Sequence, residues 1–200
     1  MTVRQRLSAD ERKKQIRETA KDIFLKKGFN NTTMEDVIRE VGMSKGGVYR
    51  HYKSTSDMLY DLMDDGNHDR YSITKAYMDK NKELSSEEIA IESTVMKLLD
   101  EAEYKSLYAI LLVEAEKNEK LKELRDRIIA TGREKTLEFT REMNLTKLEC
   151  LMSEEWIAFT NSVILATETI GVREVFLKIK DLFRNIIRQY IQENGEKQQR

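Results

Sequence analysis

The chain contains no proline along its 200 residues. Proline interrupts helices, and tight turns between strands recruit it together with glycine. Glycine is scarce too, at 8. An all-β sandwich or barrel needs many such turns and is disfavoured on this count. Collagen-like and proline-rich linker sequences are excluded. Helical period dominates what remains, and no six-residue stretch alternates convincingly between apolar and polar side chains. The expectation is an all-α protein.

Helix boundaries are legible. Ser8 and Glu11 form a capping box ahead of a helix whose Ile16, Ala20, Ile23 and Phe24 share one face. Gly28 stops it. Thr33 caps a short helix from Met34 to Val41, with Val37, Ile38 and Val41 inward. Gly42 breaks the chain, and Ser44 caps a second short helix from Lys45 to His51. Ser54 and Asp57 open a fourth helix to about Asp79, with Met58, Leu59, Leu62 and Met63 inward and Gly66 as a point of bending or fraying. Five more helices are expected: Ser85 or Ser86 to near Glu103, Lys105 to Lys117, about Asn118 to Met143, Thr146 to about Thr169, and Val172 to about Gln192. The polar segment after Gly195 reads as a frayed tail.

Net charge is −1, but its distribution is uneven. Residues 1–53 hold 13 Lys+Arg against 7 Asp+Glu, while residues 54–200 hold 22 against 29. A basic head on an acidic body points to an anionic partner for the head. One cysteine, Cys150, permits no internal disulfide or thiolate zinc cluster. The longest apolar runs are too short to span a bilayer. Residues 1–14 are too polar for a secretory signal, so a cytoplasmic protein without membrane partners is expected.

Residues 33–51 form one unit: capped helix, glycine turn, capped helix. This is the helix-turn-helix layout, whose second helix enters the major groove of DNA. Its residues suit that task. Ser44 and Lys45 stand at the positive end of the helix. Gly46 and Gly47 allow close backbone approach. Tyr49 and His51 offer polar tips to phosphates. Arg50 or Lys45 can contact guanine, and Lys53 can reach the backbone beyond. Arg4 and Arg6 read as a tail or a minor-groove arm, the tail being favoured.

Residues 12–59 resemble the tetracycline-repressor (TetR) family of transcriptional regulators. The likeness rests on Ala20, Phe24 and Gly28-Phe29, on Thr32-Thr33-Met34-Glu35-Asp36-Val37-Ile38, on the run Val41 to Tyr52, and on Leu59. The resemblance implies a nine-helix, all-α homodimer. Residues 1–53 would be the DNA-binding head and residues 54–200 a ligand-binding and dimerisation body. It carries DNA contacts onto Thr33, Ser44, Lys45, Gly47, Tyr49, His51 and Lys53. One departure is Thr55, where the family commonly has a phosphate-touching lysine. Another is Gly47, where a larger small residue is usual; two glycines in one short helix each cost about 1 kcal/mol against alanine.

The body is less specific. Met96, Tyr104, Tyr108, Leu112, Met152, Trp156 and Phe159 are bulky residues of the central helices and candidate walls of an effector pocket. Stripes of this kind are more often plain core. Glu114, Glu155 and Asn161 are polar groups that can orient a ligand, and a buried glutamate would favour a cation. Trp156 to Ala166 is apolar nearly all round, and Val175, Phe176, Ile179, Leu182, Phe183, Ile186, Ile187 and Tyr190 repeat at heptad-like spacing. Two such helices from each of two chains would form a four-helix dimer interface. The Asp65–His68 pair lacks the second half that a metal-binding bundle needs, and Asp61, Asp64 and Asp65 read as solvated. No metal, cofactor or catalytic residue is expected. The reading is a repressor that binds a palindromic operator as a dimer and is released by a small, largely apolar effector. The alternatives are a helical interaction protein with a degenerate head and, behind it, an all-α metal-dependent enzyme.

Overall fold

The computed structural model describes residues 7–143 and 145–195. Arg4, Arg6 and the tail beyond Gly195 lie outside them. The described residues are helical, without strands. The order is α1 (Ala9–Lys27), α2 (Met34–Val41), α3 (Lys45–Tyr49), α4 (Thr55–Lys80), α5 (Ser86–Leu99), α6 (Glu103–Ala115) and α7 (Glu119–Glu142), then a 3₁₀ segment (Thr146–Met152), α8 (Glu154–Leu165), a π-helical turn (Ala166–Ile170), α9 (Arg173–Lys178) and α10 (Lys180–Asn194). With α9 and α10 taken as one helix broken at Ile179, the described residues contain nine α-helices besides the 3₁₀ segment and the π-helical turn.

The expected caps form. Ser8, Thr33, Ser54 and Ser85 each accept from the third residue of their helix, which reaches back to the cap. Gly28 and Gly42 have φ of +83° and +68°, where a side chain would be strained. Several boundaries differ from expectation: the last helix, expected unbroken from Val172 to Gln192, is interrupted at Ile179, and α6 runs from Glu103 to Ala115 rather than from Lys105 to Lys117. Helix α5 stops at Leu99, before Glu103, because its final carbonyls find side-chain partners. Lys105 Nζ donates to the carbonyls of Leu98 and Asp100, and Arg173 donates to that of Leu99. The helix expected from Thr146 is instead a 3₁₀ segment, after which Ser153 caps α8. Helix α3 ends at Tyr49, although backbone bonds from His51 and Tyr52 to Val48 carry the turn onward.

Two apolar clusters organise the chain. The first joins Ile16, Phe24, Val37, Val48 and Tyr52 to Met58, Leu62, Leu107, Leu111 and Leu124. It therefore runs without a gap across residue 53 into α4, α6 and α7. The second gathers Ile91, Val95, Leu98, Leu99, Leu148, Trp156, Ile164, Phe183 and Ile187 from α5, the 3₁₀ segment, α8 and α10. Gly66 does not break α4. A Cβ there would lie 2.8 Å from Tyr104 Cβ, so its smallness lets α4 and α6 approach. No described helix is long and apolar enough to cross a membrane.

Candidate nucleic-acid interface and interior cavity

The head presents its second short helix by burying one side of it. Val48 and Tyr52 are at most 2% exposed. The Tyr52 hydroxyl donates to Asp61 Oδ2 of α4 at 2.9 Å, and Lys13 Nζ meets the same oxygen at 2.7 Å while lying over the Tyr52 ring. Burial, reinforced by the Asp61 charge, pushes the phenol's pKa up. Thr33 caps α2: its hydroxyl donates to Asp36 Oδ2 and accepts from the Asp36 amide.

Ser44, Lys45, Gly46, Arg50 and Lys53 are exposed, and Gly47, Tyr49 and His51 are half-buried. Ser44 Oγ accepts from the Gly47 amide at 3.2 Å. Lys45 Nζ lies 5.9 Å from the centre of the Tyr49 ring, and Lys53 Nζ donates to the Tyr49 carbonyl at 3.1 Å. The two glycines differ. A Cβ at Gly46 meets nothing within 4 Å, so the backbone there is bare toward the outside. A Cβ at Gly47 would come within 3.1 Å of Ser44 Oγ and 3.2 Å of Met43 Cε, so a methyl there would crowd those side chains and require them to shift.

Charge pairing holds four of the α1 cations, although Arg12, Lys14 and Lys26 have no ion pair among the described residues. Lys13, Arg17, Lys21 and Lys27 each meet a carboxylate: Asp61, Asp65, Glu18 with Glu103, and Asp36. Lys45, Arg50 and Lys53 have no ion pair among the described residues. The carboxylates Asp61, Asp64 and Asp65 of α4 are all engaged, by Lys13, Lys135 and Arg17. Thr55 opens α4 just after the Ser54 cap.

The body contains two adjoining cavities of about 240 and 130 Å³ between α4, α5, α6, α7, the 3₁₀ segment and α8. Tyr104 and Tyr108 line the larger, Trp156 the smaller, and Met152 both. The Tyr108 hydroxyl donates to Asn161 Oδ1 at 3.1 Å, and burial pushes its pKa up to about 12. Leu112 faces a separate surface depression between α6, α7 and α8. Met96 and Phe159 line neither cavity; Phe159 packs on the Trp156 ring at 5.2 Å. Glu114 serves elsewhere, accepting from the Asn30 amide of the head at 2.9 Å. Glu155 is exposed.

Asn161, expected as a polar group able to orient a ligand, does line the larger cavity, but sequence reasoning passed over the cations of the wall. Arg70 and Lys97 line both cavities, and Ser93 lines the smaller. A signal existed: Ala90, Ser93 and Lys97 fall at i, i+3 and i+7 on α5, so a lysine shares a face with a buried alanine.

Head and cavity are mechanically joined. Gly66 and Arg70 of α4 line the larger cavity, and one turn earlier α4 holds α1 through a two-pronged Arg17–Asp65 pair at 2.5 and 2.9 Å. Tyr104 of α6 lines the same cavity, and its hydroxyl donates to Glu18 of α1 at 3.3 Å.

The tetR family of bacterial regulatory proteins matches residues 16–62. The HTH-type transcriptional regulator YfiR of Bacillus subtilis, itself uncharacterised, is 46% identical over 57 residues, which is 28% of each chain. The likeness to this relative is thus confined to the head. Solved structures resemble the whole chain in fold. GusR of Salmonella enterica has a TM-score of 0.65 at 14% identity, covering 93% of this chain and 98% of its own. A transcriptional regulator from Aquifex aeolicus has a TM-score of 0.53 at 21% identity, covering 90% and 98%.

Proposed function

We propose, from a head that matches the tetR family of bacterial regulatory proteins over residues 16–62, that the chain is a dimeric repressor that binds a palindromic operator and leaves it when a small molecule occupies the body. The observation that carries this is the charge pattern of the second short helix. Its cations Lys45 and Arg50, with Lys53 just beyond, stand exposed and without an ion pair among the described residues, while Lys13, Arg17, Lys21 and Lys27 of α1 are held by carboxylates. Thr33, Ser44, Tyr49 and His51 would hold phosphates, and Lys45 or Arg50 would reach a base edge past the bare backbone of Gly46.

Residues 1–53 supply the head and residues 54–200 the body. The dimer would form through α8, α9 and α10. Ile170, Val175, Ile179 and Leu182 are 41–72% exposed there and have no cover within the chain. A two-fold axis through this face would set two recognition helices one helical turn of DNA, about 34–36 Å, or a multiple apart. Occupation of the cavity would spread α4 from α6, and the Arg17–Asp65 and Tyr104–Glu18 contacts would pass that change to α1. Release needs a ligand with different affinities for the two head spacings; a hundredfold loss of operator affinity corresponds to about 2.7 kcal/mol.

The test is selection of random duplex DNA on the purified chain, with Tyr49→Ala as control. The expected result is an enriched palindrome that Tyr49→Ala does not recover. No enrichment by the parent chain at low salt would overturn the proposal and favour an interaction protein with a degenerate head.

A further inference from the structure

We propose that the interior cavity of the body binds an organic anion with an apolar tail, its charged end held at the junction of the two cavities by Lys97 and Arg70. This rests on the effector-responsive reading above and names the chemical class of that effector.

The cavity wall carries more positive charge than the protein itself answers. Arg70, Lys97 and Thr136 line both cavities and so mark their junction. Neither Lys97 nor Arg70 makes a hydrogen bond or an ion pair among the described residues. The carboxylates nearest in account are Asp100, whose charge Arg70 feels, and Asp69, which lines the larger cavity. Neither is within ion-pair distance of them. Two further cations of the larger cavity, Lys105 and Arg133, add the same sign, although Lys105 is engaged by Glu168. Lys97 lines both cavities and its side chain is exposed, while protein crowds the ammonium from one side. That crowding, with the Arg70 charge beside it, pushes its ammonium down to about 8.

Two like charges side by side in a wall that protein shields only in part still repel, and an opposite charge supplied between them relieves this. A carboxylate meets both at once: the planar guanidinium takes it two-pronged and the ammonium adds a third donor. The smaller cavity is walled by Ile89, Phe139, Leu148 and Trp156, which suits a hydrocarbon tail. It also holds Ser93 Oγ, the buried side-chain polar atom that lacks a hydrogen-bond partner among the described residues. An apolar molecule without charge would leave both cations unanswered, and a cationic one would be repelled.

Trp156 is the single tryptophan of the chain and lines the smaller cavity, so its fluorescence reports occupancy directly. The probes are the straight-chain carboxylates from butanoate to decanoate, with the matching alcohols and amines. Titrations use the full chain, the variants Lys97→Met, Arg70→Met and Lys97→Arg, and no DNA. The expected result is saturable binding of at least one carboxylate, about tenfold or more tighter than its alcohol or amine. Lys97→Met and Arg70→Met should each weaken it about tenfold, and Lys97→Arg should largely restore it. Carboxylates that bind no better than alcohols, or binding that both methionine variants leave unchanged, would overturn the proposal. Operator release is then measured separately. Release by alcohols or amines alone would sink the anionic class and keep the effector reading. Carboxylate binding with no change in operator affinity would keep the anion site and sink the effector reading.

Discussion

Replacement of Lys97 by methionine should stabilise the protein at neutral pH. In the folded chain the Lys97 ammonium is pushed down to about 8 by burial and by Arg70, from an ordinary 10.5. Between those values the unfolded chain binds more protons than the folded one, so the lysine's contribution makes stability rise with pH across that window. Below pH 8 the penalty is fully present. Its ceiling at pH 7 is about 3 kcal/mol, from the difference between the two values. Water reaching the ammonium through the cavity screens part of this, which brings the expected gain to about 1–2 kcal/mol. Methionine keeps the length and packing of the side chain and removes the charge. The assay is urea unfolding followed by circular dichroism, for parent and variant, at pH 7.0 and 9.5. The variant should be the more stable at pH 7.0, and the difference should shrink by more than half at pH 9.5. Groups that also titrate there, including the shifted Lys105, Tyr104 and Tyr108, are common to both chains and cancel. A variant less stable at pH 7.0, or a difference independent of pH, would show that the ammonium has a partner and that the charge accounting of the cavity is wrong.

Gly46→Ala should stabilise the free head by up to about 1 kcal/mol, because the new methyl meets nothing and helix propensity improves, yet it should weaken operator binding if DNA backbone approaches there. Gly47→Ala should gain less or lose stability, since its methyl crowds Ser44 and Met43; equal gains in thermal unfolding would refute that packing account. Lys45→Ala and Lys53→Ala should each lower the slope of log affinity against log salt by about 1 where the side chain meets a phosphate, and an unchanged slope removes that residue from the interface. Cys150 is buried and burial pushes its thiol pKa up, so it should resist a thiol reagent in the native protein and react on unfolding; fast native labelling would contradict its place in the core.

The head was readable in the sequence because its determinants are local. A capping box is a contact between residues three apart, and Gly28 and Gly42 take left-handed or related positive-φ backbone wherever the body lies. Helix ends governed by distant partners were not readable. Lys105 and Arg173 close the end of α5 from other helices, and nothing near Leu99 announces this. Among the pocket candidates, Tyr104, Tyr108, Met152 and Trp156 meet around the cavities, while Met96 and Phe159 stand outside and Leu112 faces a different depression. Bulk and helical spacing choose a face, but they do not say whether that face meets another helix or a void.

The sequence by itself determined the all-α class, the helix-turn-helix and the basic face of the head, since these follow from periodicity, caps and composition. Only the tertiary structure decided which cations of the head are free and what charge lines the body. Lys13 and Arg17 look like Lys45 and Arg50 until α4 brings Asp61 and Asp65 beside the first two. Nothing in the sequence sets Lys97 apart from other lysines until α4 brings Arg70 to the same cavity wall. Charge is written in the sequence, but its neutralisation depends on distance, and distance between helices is settled only when the chain packs.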